Sequence, residues 1–181
     1  MNFAGWILKI SGWKVDVTVP DYPKCIICVA PHTSNWDFVI GKLAYSSIGR
    51  KAGFLMKESW FFWPMGAIFR ALGGVPVPRG KKRKGSLVDF LIDKFNSSEK
   101  LAIAITPEGT RSRTADWHTG FLRIALAAKV PVTLGALDFK NKNVVITDTF
   151  YPTDDIDDDM RQIKAYYSKY EGKYPENFTT D

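Results

Sequence analysis

Two short words in this chain hold the side chains best suited to chemistry. His32-Thr33-Ser34-Asn35-Trp36-Asp37 follows an apolar run that ends at Pro31, and Glu108-Gly109-Thr110-Arg111-Ser112 follows a second run that ends at Pro107. The first supplies one of only two histidines and a carboxylate able to orient it. A neutral imidazole with an ordinary pKa of ~6.5 takes a proton from an alcohol near neutral pH, and a carboxylate on its other nitrogen fixes the tautomer and stabilises the imidazolium. The second supplies Arg111, whose planar fork of donors suits an anion, and Gly109, which permits a tight turn. Glu108 could hold either Arg111 or a substrate hydroxyl. Together these are the parts needed to move an acyl group onto a hydroxyl.

Each part also has a plainer reading. Thr33, Ser34 and Asn35 are all good N-caps for a helix starting near Trp36, and Ser34-x-x-Asp37 has the spacing of a capping box. Arg111 and Glu108 could be a surface turn with a salt bridge. The other histidine, His118, has no carboxylate at a diagnostic spacing and precedes a helical pattern, so it reads as surface or cap. Gly73-Gly74-Val75-Pro76-Val77-Pro78-Arg79 reads as a short strand ending in a further arginine. Gly80-Lys81-Lys82-Arg83-Lys84-Gly85-Ser86 has the outline of a phosphate loop but lacks a lysine before Ser86, so nucleotide hydrolysis is not supported. Neither a G-x-S-x-G elbow nor a G-x-G-x-x-G fingerprint is present, which lowers serine hydrolase and dinucleotide-binding readings.

The elements that must position these words follow from hydrophobic pattern. Runs at 14–19, 25–30, 53–56, 101–106, 131–137 and 143–150 read as strands. Helical stripes alternate with them: Trp36, Val39, Ile40, Leu43 and Ala44; Leu87, Val88, Leu91 and Phe95; Phe121, Leu122, Ala125 and Leu126; and Met160, Ile163, Tyr167 and Tyr170. Alternating strands and helices predict an α/β fold, a mostly parallel mixed sheet covered by helices. The 181 residues fit one domain, 1–181, large enough to bury a real core. Ligands of such folds bind at the carboxyl ends of strands, where both words fall.

Cys25 and Cys28 lie inside the run at 25–30 and read as core, not as a redox or metal pair. With two cysteines and two histidines in the chain, a structural zinc site is unsupported, and no metal is expected. The net charge of +6 is patterned: Arg79–Lys84 is basic at all but Gly80, and Asp154–Asp159 is acidic at all but Ile156. The acidic block precedes a helix, where it favours the positive end of the dipole. The basic block is either a solvated loop or a contact to an anionic partner. The greasy stretch from Trp60 to Phe69 stops at Arg70, well short of the ~20 residues of a helical span. Trp6, Ile7, Leu8, Ile10 and Trp13 sit among lysines without a small-residue cleavage site, so the start of the chain reads as retained and interfacial.

Taken together, the residues resemble the glycerolipid acyltransferase family, which includes the lysophosphatidate (1-acylglycerol-3-phosphate) acyltransferases. His32 and Asp37 match its H-x-x-x-x-D block, Gly74 to Arg79 its glycine-rich stretch ending in arginine, Glu108 to Ser112 its E-G-T-R-S block, and Val130-Pro131-Val132 its valine-proline pair. Met56-Lys57-Glu58-Ser59 followed by Pro64-Met65-Gly66 is similar to its lysine-glutamate segment before a greasy loop. The resemblance implies an O-acyltransferase with His32 as general base, oriented by Asp37, and direct attack on an acyl thioester. It implies an acceptor site of Arg79, Glu108, Gly109, Thr110, Arg111 and Ser112, with the two arginines on a phosphate and an apolar groove for the acyl chain. No cofactor is implied; acyl-coenzyme A or acyl-carrier protein is a co-substrate. The implied partners are a lysophospholipid and an anionic membrane surface, with peripheral attachment to the inner, cytoplasmic face. Acylation of another lysolipid such as an amino-acid lipid, a lipid-binding protein without catalysis, and a basic nucleic-acid-binding module are the alternatives. The last leaves His32 and the Glu108–Ser112 word without a role, so no nucleic acid is expected.

Overall fold

The most apolar strand is the centre of the fold. In a computed structural model, which describes residues 2–78 and 85–181, Lys24–Ala30 forms β2, and its alternate side chains enter two separate cores. Ile26, Cys28 and Ala30 pack with Leu91, Phe95, Phe121, Leu122 and Ile163. Cys25 and Ile27 pack on the other side with Leu8, Ile40, Ala44, Leu137 and Ile146. A strand buried on both faces needs apolar residues at both parities, which is why it reads as a continuous run. Both cysteines are free and buried, and desolvation pushes their thiols up to about 11 and about 12.

Around β2 the order is α1 (Phe3–Ile10), β1 (Lys14–Val17), β2, α2 (Trp36–Ser47), β3 (Gly53–Lys57), a 3-10 turn at Glu58–Trp60, α3 (Met65–Ala71) and β4 (Gly74–Val77). There follow α4 (Leu87–Asn96), β5 (Leu101–Ile105), α5 (Gly120–Ala128), β6 (Val132–Asp138), β7 (Asn143–Phe150), α6 (Ile156–Tyr167) and a 3-10 turn at Pro175–Asn177. The seven strands form one sheet in the order β1-β7-β6-β2-β5-β3-β4. Every neighbouring pair is parallel except β6 and β7. The mostly parallel mixed sheet covered by helices is therefore present. Pro76, which cannot donate to a ladder, sits in β4 at the sheet's edge. Lys14–Val17 is shorter than the predicted run because Thr18 and Val19 already leave the ladder, both donating to the carbonyl of Ile146.

The helical stripes hold with three departures: Leu126 of α5 is 38% exposed, Tyr170 lies past the end of α6 at Tyr167, and α2 departs most. Ile40 and Ala44 of α2 are buried, but Trp36 and Val39 of the same stripe are 54% and 39% exposed, and Phe38 joins them at 47%. Hydrophobic period identified the helix but not what would cover its first turns. The acidic block caps α6: the Asp155 carboxylate accepts from the Asp158 N–H, and buried Asp159 accepts from Thr153. The basic run Arg79–Lys84 lies outside the described residues.

Candidate active site

Because β2 and β5 are parallel neighbours, paired from Lys24↔Leu101 to Cys28↔Ile105, their carboxyl ends open side by side. The loop 31–35 leaves β2, and Thr106–Ser112 leaves β5. This adjacency brings the two sequence words together, and their side chains bind across the gap. Glu108 Oε1 accepts from the His32 backbone N–H at 2.7 Å, and Arg111 Nη1 donates to Asn35 Oδ1.

Asp37 lies in the first turn of α2 and is 2% exposed. Its Oδ2 accepts from the backbone N–H groups of Thr33 and Ser34, each at 2.7 Å, and its Oδ1 from Ser34 Oγ at 2.7 Å. The same Oδ2 stands 3.2 Å from His32 Nδ1. Nδ1 is buried and makes no aligned hydrogen bond, so the pair is within ion-pair reach but off the line of the N–H. Asn35 is the N-cap of α2 and makes no side-chain cap bond, so the Ser34–Asp37 contact is not a full capping box. The carboxylate ties down the loop that carries the imidazole and remains beside the ring.

Glu108 binds the histidine loop rather than Arg111. It has no bond to Arg111 among the described residues; it is 3% exposed and grips the backbone of His32. Burial pushes its carboxyl up to about 7, the His32 N–H opposes that shift, and the nearby Asp37 carboxylate adds to it. Gly109 has φ +65°, a left-handed conformation that favours glycine. Thr110, Arg111 and Ser112 are exposed at the rim, with Thr110 Oγ1 accepting from the Ser112 N–H at 3.2 Å. Arg79 follows β4, but it lies outside the described residues.

His118 is exposed but is not a cap. Its N–H donates to the Pro107 carbonyl at 2.8 Å, and its ring lies so close to Gly109 that a Cβ there would stand 2.5 Å from Cδ2. Thr119, not His118, is the N-cap of α5. Only the proximity of His118 to the second word in sequence could have hinted at this packing.

Beneath α2 is an apolar cavity of about 490 Å³ whose lining includes His32, Asp37 and Thr106 together with Val29, Phe38 and Leu137. Gly41 also lines it, with nothing within 4 Å of where a Cβ would be. Lys42 lines it too; its ammonium donates to the Ala52 carbonyl at 2.9 Å, and desolvation lowers its pKa.

A family model described as Acyltransferase matches residues 15–133, a stretch that contains both words, the cavity helix α2 and the start of β6. This chain belongs to the acyltransferase family. The match is to the glycerolipid acyltransferase family that the sequence resembles. No curated protein matches the chain. The described residues put a histidine, a buried carboxylate and an apolar cavity in one place.

Proposed function

We propose that this acyltransferase moves a fatty acyl group from acyl-coenzyme A or acyl-carrier protein to the hydroxyl of a phosphate-bearing lysolipid, 1-acylglycerol-3-phosphate in the first instance. The observation that carries the reading is His32, with Asp37 3.2 Å from its Nδ1, lining an apolar cavity of about 490 Å³. His32 Nε2 takes the acceptor hydroxyl's proton as the oxygen attacks the thioester carbonyl. The tetrahedral intermediate collapses with loss of the C–S bond, and the imidazolium returns its proton to the departing thiolate. No acyl-enzyme forms. Asp37 stabilises the imidazolium, and Glu108 fixes the loop through the His32 N–H.

The acyl chain occupies the cavity, and Arg111, together with Arg79, takes the acceptor phosphate through charge-assisted bidentate bonds. Gly109, Thr110 and Ser112 shape the turn around it. The protein attaches peripherally to the inner face of an anionic membrane. Among the described residues no helix is long and apolar enough to cross one. Trp60 on the 3-10 turn, Phe62 and Trp63 in the loop after it, Ile68 on α3, and Phe3, Trp6 and Ile10 on α1 expose large apolar surface of the kind that rests at a lipid interface.

The test incubates purified protein with labelled palmitoyl-coenzyme A, lysophosphatidate, monoacylglycerol and an amino-acid lysolipid, with products identified by mass spectrometry. Phosphatidate should dominate, and Arg111→Lys should raise the acceptor KM with far less effect on the donor KM. Equal acylation of the dephosphorylated acceptor, with Arg111→Lys silent, refutes the phosphate assignment.

A further inference from the structure

Residues 171–181 lie beyond the matched stretch, yet they touch the histidine loop and the residues that follow the Glu108–Ser112 turn. Phe139 N donates to the Glu171 carbonyl at 2.9 Å, which fixes the start of the segment next to the end of β6. Gly172 then lies against the histidine loop, where a Cβ would come within 2.8 Å of Thr33 Oγ1 and 3.1 Å of Pro31 Cβ. The Tyr174 N–H donates to Thr33 Oγ1 at 3.2 Å. Further along, the Phe178 ring is 5.9 Å from that of Trp117, and Thr179 Oγ1 accepts from Arg113 Nη2 at 3.5 Å.

Thr33 is held from two sides. Its hydroxyl accepts from the segment, and its own N–H donates to Asp37 Oδ2 at 2.7 Å. It is 3% exposed, so neither bond is exchanged freely with water. Trp117 stands next to His118, whose ring rests on Gly109. Thr33 thus links the segment to the carboxylate beside His32, and Trp117 links it by way of His118 to Gly109.

We infer that residues 171–181 form a positioning strap that holds the His32–Asp37 pair and the Glu108–Ser112 turn in register, with Thr33 and Gly172 as its contact to the base. The inference rests on the proposed role of His32. Thr33→Val keeps the shape and removes the acceptor; Thr33→Ser restores the acceptor; Gly172→Ala drives a methyl into Thr33. Val15→Ala, in the edge strand β1, is the control for loss of stability alone. Misplacing a reacting group by an ångström costs up to about a hundredfold, so Thr33→Val and Gly172→Ala should lower kcat about tenfold or more. Both KM values should stay within about threefold. Thr33→Ser should recover most of the rate, and Val15→Ala should keep it. Independently of turnover, the 15N shifts of the His32 ring, assigned against His118→Asn in this two-histidine chain, should move in Gly172→Ala and not in Val15→Ala. If the unmodified protein transfers no acyl group, the proposed function fails, and the ring shifts still decide the strap. Unmoved ring shifts in Gly172→Ala, or equal kcat for Thr33→Val and Thr33→Ser, overturn it.

Discussion

Replacing Glu108 by Gln should stabilise the protein at alkaline pH and do little at acid pH. The carboxyl is buried, its pKa is raised from 4.5 to about 7, and its visible hydrogen bond is to the His32 N–H, which an amide oxygen can accept equally well. Because the folded pKa is raised, the folded protein keeps the proton that the unfolded chain gives up above pH 4.5. Stability therefore falls as pH rises from 4.5 towards about 7, and the cost is fully present above that window. At ~1.4 kcal/mol per tenfold change in proton affinity, the full cost is about 3 kcal/mol. At about pH 5 less than ~1 kcal/mol of it is expressed, and at about pH 8 nearly all. Any fixed cost of seating the amide NH₂ adds equally at both pH values. Urea unfolding of both proteins should thus show the variant's stability relative to wild type improving by about 2 to 3 kcal/mol between the two pH values. A gap that is the same at both, or a wild type that alone gains stability as pH rises, refutes the assignment of Glu108 as a desolvated carboxyl. Activity separates the roles further: Gln should leave the acceptor KM nearly unchanged, whereas a Glu108 that held Arg111 or a substrate hydroxyl would not allow it.

His32→Ala should remove activity by about 10²- to 10⁴-fold with little change in Tm, and a variant with unimpaired turnover would exclude His32 as the base. Asp37→Asn should lose both rate and stability, the latter by roughly 1 to 3 kcal/mol, because the carboxylate accepts two backbone N–H groups and a hydroxyl; calorimetry beside kinetics reads both. Gly41→Leu should shift acyl-donor preference toward shorter chains in a chain-length series, since the side chain would enter empty cavity; an unchanged profile would place the acyl chain elsewhere. Trp60→Ser with Trp63→Ser should weaken sedimentation with vesicles containing anionic lipid while leaving the fold intact, Trp63 being 89% exposed.

The sheet was legible because its central strands are buried on both faces, and burial at both parities leaves an apolar run that needs no partner to be seen. The cysteine reading followed from the same run. Three things were not legible. Hydrophobic period marks Trp36 and Val39 as members of a stripe, but exposure depends on which elements cover them, and that is a property of topology. The grip of Glu108 on the His32 N–H spans 76 residues and ends on a backbone atom, so no side-chain pairing in the sequence announces it. The bond from Tyr174 to Thr33 spans 141.

The contacts of Asp37 show why the site and the fold are not separable. Its carboxylate holds the Thr33–Ser34 backbone and the Ser34 hydroxyl at once and stands beside the histidine ring. Glu108 likewise serves as a buried anchor and as a determinant of where His32 sits. A rate loss at either position is therefore ambiguous on its own, since a loosened loop and a missing charge both slow turnover. Perturbations that change protonation without changing shape resolve the ambiguity. The pH-dependent stability gap of Glu108→Gln belongs to that class, because desolvation of a charge predicts its sign and its window, and a merely loosened loop predicts neither.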